Sequence, residues 1–187
     1  MINFLEYWEL EKLLNCSHIK HYRLKAMMAL MAYAGLRVSE VRKLRLMDVM
    51  TYGEIATAIS LQSSKTSKSR TDYIPIPPQL RDILYQWVFR HSNLSADSYY
   101  LFPNPKGRPY TSRIIQKDIR RVGELCLKRH ITPHTLRHTF GTLLARKAPL
   151  RVVQEALRHR SVTSTQIYTH VTKTDLHKAV EKTFRGV

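Results

Sequence analysis

Apolar residues recur along most of this chain at helical spacing. Residues 6–14 (EYWELEKLL) and 21–34 (HYRLKAMMALMAYA) read as helices. The second is rich in Ala, Leu and Met and is stopped by Gly35, a residue suited to a helix C-terminus. A short helix over 39–44 follows. The texture then changes: 55–61 and 72–76 carry β-branched residues, and the polar run SSKTSKSR between them predicts a hairpin with a basic tip. Pro75, Pro77 and Pro78 close the hairpin and open a helix over 79–90. A loop around 103–109 precedes a long helix over 112–129.

The stretch TPHTLRHTFGT, 132–142, predicts a helix capped by Thr132 with Pro133 at its first position. On that helix Leu136, Phe140, Leu143 and Leu144 fall within one third of the circumference and form the expected packed face. His134, Arg137, His138 and Gly141 fall on the adjoining face, which is left for polar work. Helices near 150–157, 164–171 and 175–184 finish the chain. No repeat, low-complexity tract or linker interrupts it. These patterns predict one domain over 1–187, mainly α with a small antiparallel β-sheet (α+β).

Charge adds a partner class. Lys and Arg outnumber Asp and Glu by 31 to 14 in 187 residues, a formal net charge of +17. That excess is the electrostatic footprint of a polyanion binder, and nucleic acid is the default polyanion. Residues 113–160 hold twelve Lys or Arg against three acids, interleaved with apolar positions, which points to a binding surface on folded helices. An anionic membrane is the rival partner. No long apolar run, secretory signal or basic amphipathic anchor stands in its favour, so the expectation is a soluble, intracellular protein with no membrane contact. Cys16 and Cys126 form no ligand pattern and are expected as small core residues rather than a disulfide or metal pair.

Candidate chemistry begins with His134 and His138. Their spacing suits zinc, but the helical metalloprotease pattern needs Glu after the first His, where this chain has Thr135, and Arg137 would repel a cation between them. No metal is expected. A phosphate reading fits better, because an arginine guanidinium offers a planar fork of donors, and two can hold the non-bridging oxygens of a phosphodiester. Arg137 is one candidate and Arg37, in GLRVSEVRKL, is another. Singly, Arg37 reads as an ordinary exposed basic residue near a helix start. In LRHRSVTSTQIYTHV, His159 stands nine residues before Tyr168. One tyrosine among ten is ordinarily a core or rim residue. A phenol nonetheless attacks phosphorus once its proton, with a free pKa of about 10, is removed and cations meet the charge.

GLRVSEVRKLRLMDV, SSKTSKSR on a hairpin, HTLRHTFGTLL and LRHRSVTSTQIYTHV, in that order, resemble the catalytic domain of the tyrosine recombinase (phage integrase) family. The likeness runs from about Leu5 to the end. It implies that Arg37 and Arg137 clamp the scissile phosphate and that Glu40 supports the first of them. Lys65 matches the lysine that protonates the departing 5′ oxygen, with Lys68 as local competitor. His134 matches the histidine that exchanges a proton with the tyrosine, His159 the one bonded to the phosphate, and Tyr168 the nucleophile. His138 is left as a supporting neighbour, and Lys68, Arg70 and Arg158 as DNA-binding residues.

The implied reaction is site-specific cleavage and rejoining of double-stranded DNA through a 3′-phosphotyrosyl link. That link conserves the bond energy, so no cofactor is expected. The implied assembly is a homotetramer on two synapsed sites, in the cytoplasm at bacterial, phage or archaeal DNA. Alternatives with the same residues are type IB topoisomerase-like relaxation or a DNA-binding module whose catalysis has decayed. The chain departs from the family pattern at two habitual glycines, which appear here as Lys147 and Arg158. If Lys147 occupies the left-handed conformation of the habitual glycine, the strain is about 1 kcal/mol. Arg158 is expected either to crowd the turn that aims His159 or to add a phosphate contact. The family's N-terminal DNA-clamping domain is expected to be absent from these 187 residues.

Overall fold

A computed structural model describes residues 3–63, 70–94 and 98–158. Its elements follow in chain order as α1 (Tyr7–Leu14), α2 (Tyr22–Tyr33), α3 (Val38–Val41), β1 (Met50–Thr51), β2 (Glu54–Ile55), β3 (Ala58–Ser63) and β4 (Arg70–Pro75). Then come α4 (Pro78–Gln86), α5 (Ser112–Leu127), α6 (Pro133–Ala145) and α7 (Leu150–Ala156). The expected helices near 164–171 and 175–184, and the hairpin tip, lie outside the described residues.

The middle of the molecule is α2. From Leu24 to Ala32 nearly every side chain is buried, Ala26, Met28, Ala29, Leu30 and Met31 completely. A helix apolar on all sides has to be surrounded, and α1, α4, α5 and α6 all pack on it. Gly35 ends it with φ +62. The glycine is needed twice there: for the left-handed backbone, and because a Cβ would stand 2.5 Å from Cδ1 of Phe140 on α6.

Two antiparallel hairpins lie beside this bundle, β1 with β2 and β3 with β4, the latter pairing Ala58 with Pro75 through Ser63 with Arg70. The expected strand over 55–61 is thus divided. Ile55 pairs with Met50 in the first hairpin, and the second begins three residues later. Tyr52 and Gly53 form the first turn with φ +51 and +80, the positive pair of a two-residue hairpin turn. Helix α4 starts on Pro77 and Pro78 as expected, then widens into a π-helical turn, Trp87–His91. Helix α5 stops at Leu127 because Lys128 turns left-handed, φ +54.

Two expectations are corrected. Cys16 and Cys126 are joined in a disulfide that ties the end of α1 to the last turn of α5, with Cα atoms 6.2 Å apart. Their separation of 110 positions hid the pairing from the sequence. On α6 the buried face comprises Thr135, Leu136, Arg137, Thr139 and Gly141, while Phe140, Leu143 and Leu144 are only partly buried. Thr139 can enter the core because its hydroxyl donates to the Thr135 carbonyl and accepts from Leu5 N–H, both at 2.9 Å. Phe140 and Leu144 pack instead with Val153 and Leu157 of the α7 segment. Among the described residues no helix is long and apolar enough to cross a membrane.

Candidate active site

The site forms where the α2–α3 turn, α6 and the end of α7 meet. Arg37 takes the N-cap position of α3 with extended backbone, φ −76 and ψ 153. Its N–H donates to Glu40 Oε2 at 2.6 Å and its Nη1 to Glu40 Oε1 at 3.0 Å. The acid three residues into a helix normally reaches back to cap the first N–H. Here the same reach also grips the arginine side chain, which remains 42% exposed and open to an incoming anion.

Arg137 comes from the second turn of α6 and is 5% exposed. One terminal nitrogen of its guanidinium donates to the carbonyl of Gly35, the other to that of Leu157. One fork therefore joins three segments, and it brings Arg137 to a carbonyl two residues from Arg37. The amphipathic reading placed Arg137 on a free polar face. It is buried because these two carbonyls, left over at helix ends, meet it there.

Arg158 completes the group. Its φ of +54 puts it in the left-handed conformation that favours glycine, and its Nη2 reaches Glu40 Oε2 at 2.8 Å. The side chain is 12% exposed. It reaches across to α3, while the turn that aims His159 lies outside the described residues. Lys147 does not meet the condition for left-handed strain, since among the described non-glycine residues positive φ occurs only at Tyr52, Lys128 and Arg158.

One carboxylate thus faces three guanidinium groups. Burial raises the Glu40 carboxyl, but the charge of Arg158, the Arg37 N–H and the charges of Arg37 and Arg137 outweigh it and hold the group below the usual carboxylate range. Glu40 is ionised at neutral pH, and the cluster keeps a net positive charge suited to a phosphodiester.

His134 is exposed in the first turn of α6, and His138 lies one turn on, half-buried, with ring centroids 6.4 Å apart. Burial, His134 and Arg137 hold the His138 imidazole below its ordinary value, so it is neutral at pH 7. Thr132 aims this turn by accepting the Thr135 N–H at 3.1 Å, while Thr135 Oγ1 accepts the Thr132 N–H at 3.2 Å. Arg70 opens β4 opposite Ser63. Lys65, Lys68, His159 and Tyr168 lie outside the described residues.

The basic stretch 113–160 is less of an open surface than its composition suggests. Arg129 pairs with Glu9 at 2.6 Å and Arg146 with Glu6 at 2.7 Å, stapling α1 to α5 and α6. With Arg137 and Arg158 also turned inward, four of the stretch's twelve cations hold the fold. Nothing in the sequence signals the Arg158–Glu40 pair, whose members stand 118 positions apart. Nor does it signal the roles of the Gly35 and Leu157 carbonyls, since any residue type supplies a carbonyl.

Comparison with known proteins adds the lineage. Residues 3–175 match the Phage integrase family. The chain is 35% identical over 190 aligned positions to the tyrosine recombinase XerC of Oceanobacillus iheyensis, covering 96% of this chain and 60% of that protein. It is 36% identical over 168 positions to XerD of Lacticaseibacillus casei, covering 85% of this chain and 54% of that protein. The chain therefore spans somewhat over half the length of these relatives. Among solved structures, XerA recombinase superposes with a TM-score of 0.78 at 28% identity, over 98% of this chain and 65% of that one. The catalytic domain of bacteriophage HP1 integrase shares the fold over 97% of this chain and 95% of its own, with a TM-score of 0.63 at 24% identity. By its family match and by its mainly helical fold with small antiparallel sheets, this chain belongs to the phage integrase family of tyrosine recombinases.

Proposed function

We propose that these 187 residues are a catalytic domain that cuts and rejoins double-stranded DNA at specific sites through a tyrosine–phosphate bond. The observation that carries this reading is the clustering of Arg37, Arg137 and Arg158 around Glu40, with Arg137 bound to Gly35 two residues from Arg37. Cations held rigidly by a carboxylate and by backbone carbonyls need no reorganisation when charge builds on a phosphoryl group. A relative 28% identical to this chain, XerH site-specific recombinase, has been solved bound to a palindromic difH substrate in a post-cleavage complex.

In the proposed reaction the Tyr168 oxygen attacks the scissile phosphorus as its proton passes to His134. The bond to the 5′ oxygen breaks, and Lys65, or Lys68, supplies the proton that makes it a hydroxyl. Arg37, Arg137 and His159 meet the charge on the non-bridging oxygens. A 5′ hydroxyl from the same or a partner duplex then attacks the phosphotyrosine and releases Tyr168. One phosphodiester is exchanged for another of similar energy, so the chemistry balances without a nucleotide. Lys68 and Arg70 would contact the DNA backbone, and pairing of sites would require a homotetramer on two duplexes.

The test uses a pool of nicked duplexes with a randomised core, incubated with the full chain and resolved on a denaturing gel. Wild type is expected to form a covalent protein–DNA adduct and Tyr168→Phe to form none. Sequencing the captured strands gives the site, and light scattering on that site gives the assembly. An adduct that persists in Tyr168→Phe would remove this tyrosine from its role. Recovery of every sequence with equal frequency would indicate topoisomerase-like relaxation instead. Binding without adduct would indicate a module that has lost catalysis.

A further inference from the structure

We propose that Arg158 is a positioning residue: by pairing with Glu40 it locks the end of α7 to the first turn of α3 and so fixes the carboxylate that orients Arg37. The inference rests on the reading of Arg37 as a phosphate ligand. It gives a purpose to an arginine at a left-handed position where glycine costs less.

The argument starts from the two oxygens of Glu40. Oε1 accepts from Arg37 Nη1 at 3.0 Å, and Oε2 accepts from both Arg37 N–H at 2.6 Å and Arg158 Nη2 at 2.8 Å. A rotation of the carboxylate that releases Arg37 therefore also breaks the bond to Arg158. With Arg158 removed, the hydrogen bonds to Glu40 that remain among the described residues come from Arg37, the residue the carboxylate is meant to orient. Both side chains are mostly withdrawn from water, at 12% and 23% exposure, so the pair is less screened than a surface ion pair. Of the charges that keep Glu40 ionised, Arg158 contributes most.

The backbone at this point is held from both sides. Leu157 offers its carbonyl to Arg137, while the next residue sends its guanidinium to Glu40. The Arg158 N–H closes on Glu155 O at 2.9 Å, and its Nη1 lies 3.3 Å from Ala156 O. The last turn of α7 is thereby tied to both proposed phosphate arginines, immediately before His159. Glycine would satisfy the backbone and lose every side-chain tie, which separates two effects that usually travel together.

The experiment compares wild type, R158A, R158G, R158K, E40Q and the R158A/E40Q double variant. Adduct formation is measured at saturating nicked duplex, DNA affinity separately, and Tm for each protein. R158A and R158G are both expected to slow adduct formation about tenfold with little change in DNA affinity, and R158K to recover part of the rate. R158G is expected to melt above R158A because it relieves the left-handed backbone, yet to cleave no faster. The double variant should be no slower than E40Q, because both substitutions remove one interaction.

An R158A rate within about twofold of wild type, or losses that multiply in the double variant, would overturn the proposal while leaving the recombinase reading intact. If wild type forms no adduct, that reading falls and a spectroscopic arm decides this one. The Arg37 Nε–H resonance, assigned with R37K, is expected to shift in R158A. An unmoved resonance overturns the coupling.

Discussion

Replacing Arg137 by lysine tests the junction at the centre of the site. The substitution keeps the positive charge near Glu40 and removes the fork. In the native protein two nitrogens serve two carbonyls, Gly35 at the end of α2 and Leu157 at the end of α7, from a side chain only 5% exposed. Lysine has one nitrogen and a different direction of approach, so at least one buried carbonyl loses its partner. Leaving such an acceptor unsatisfied costs about 1–3 kcal/mol. For a chain of this size each kcal/mol moves Tm by roughly 2–4 °C, so a loss of about 2 kcal/mol lowers Tm by roughly 6 °C.

Thermal unfolding followed by circular dichroism, with and without duplex DNA, reads this directly. Adduct formation measured well below Tm reads the chemistry separately. It is expected to fall about a hundredfold or more, the usual consequence of removing one donor from an oxyanion-type site. A Tm within about 1 °C of wild type would show that the two carbonyls are satisfied without the fork, and the account of Arg137 as the tie between α2, α6 and α7 would be wrong.

Two further outcomes follow from the same structure. Reduction of the Cys16–Cys126 disulfide, which closes a loop across 110 positions, removes a constraint worth about 5 kcal/mol in the chain-entropy treatment. Urea unfolding with and without a phosphine reductant should show a loss of several kcal/mol, and the C16S/C126S variant should ignore the reductant; a difference below about 1 kcal/mol would refute the tie. The second concerns acid. His138 is held below its ordinary value by burial, His134 and Arg137, so below pH ~6.5 the unfolded chain takes up a proton that the native state resists. Stability contributed at this position is therefore lost as pH falls through ~6.5, and His138→Gln should flatten that loss between pH ~7 and ~5.5 in urea titrations; an unchanged slope would count against it.

What could be read from the sequence was whatever depends on local order. Thr132 and Pro133 start α6 where the cap rules place it, Gly35 ends α2 in the left-handed conformation, and the apolar run through Met27 and Met31 becomes the buried centre. The order of boxes along the chain likewise pointed to the family that residues 3–175 match. The first hairpin is not legible in the sequence, because strands of two residues have no periodicity to detect. What failed were inferences that assumed a residue's partner lies on its own helix. Arg137 was assigned to a polar face by its angular position, but burial at that angle is set by two carbonyls from other segments. The disulfide is the same case, since nothing near Cys16 indicates Cys126.

Arg158 shows where this limit bears on function. Position by position it looks like a defect, an arginine where the backbone calls for glycine. The cost is local and visible in sequence; the compensation comes from Glu40, 118 positions earlier, and requires the fold to be assembled first. The same holds for the basic excess between residues 113 and 160, where Arg129 and Arg146 fasten the first helix and Arg137 and Arg158 build the site. Net charge predicts a polyanion as partner, but it cannot divide the arginines proposed to meet a polyanion from those that hold them in place. In this stretch the acids bear on that division, because the ion pairs of Arg129, Arg146 and Arg158 are each made with a glutamate. Among the described residues Glu40 bonds one of each kind, Arg37 as the proposed phosphate ligand and Arg158 as its support, so its removal would disturb both at once.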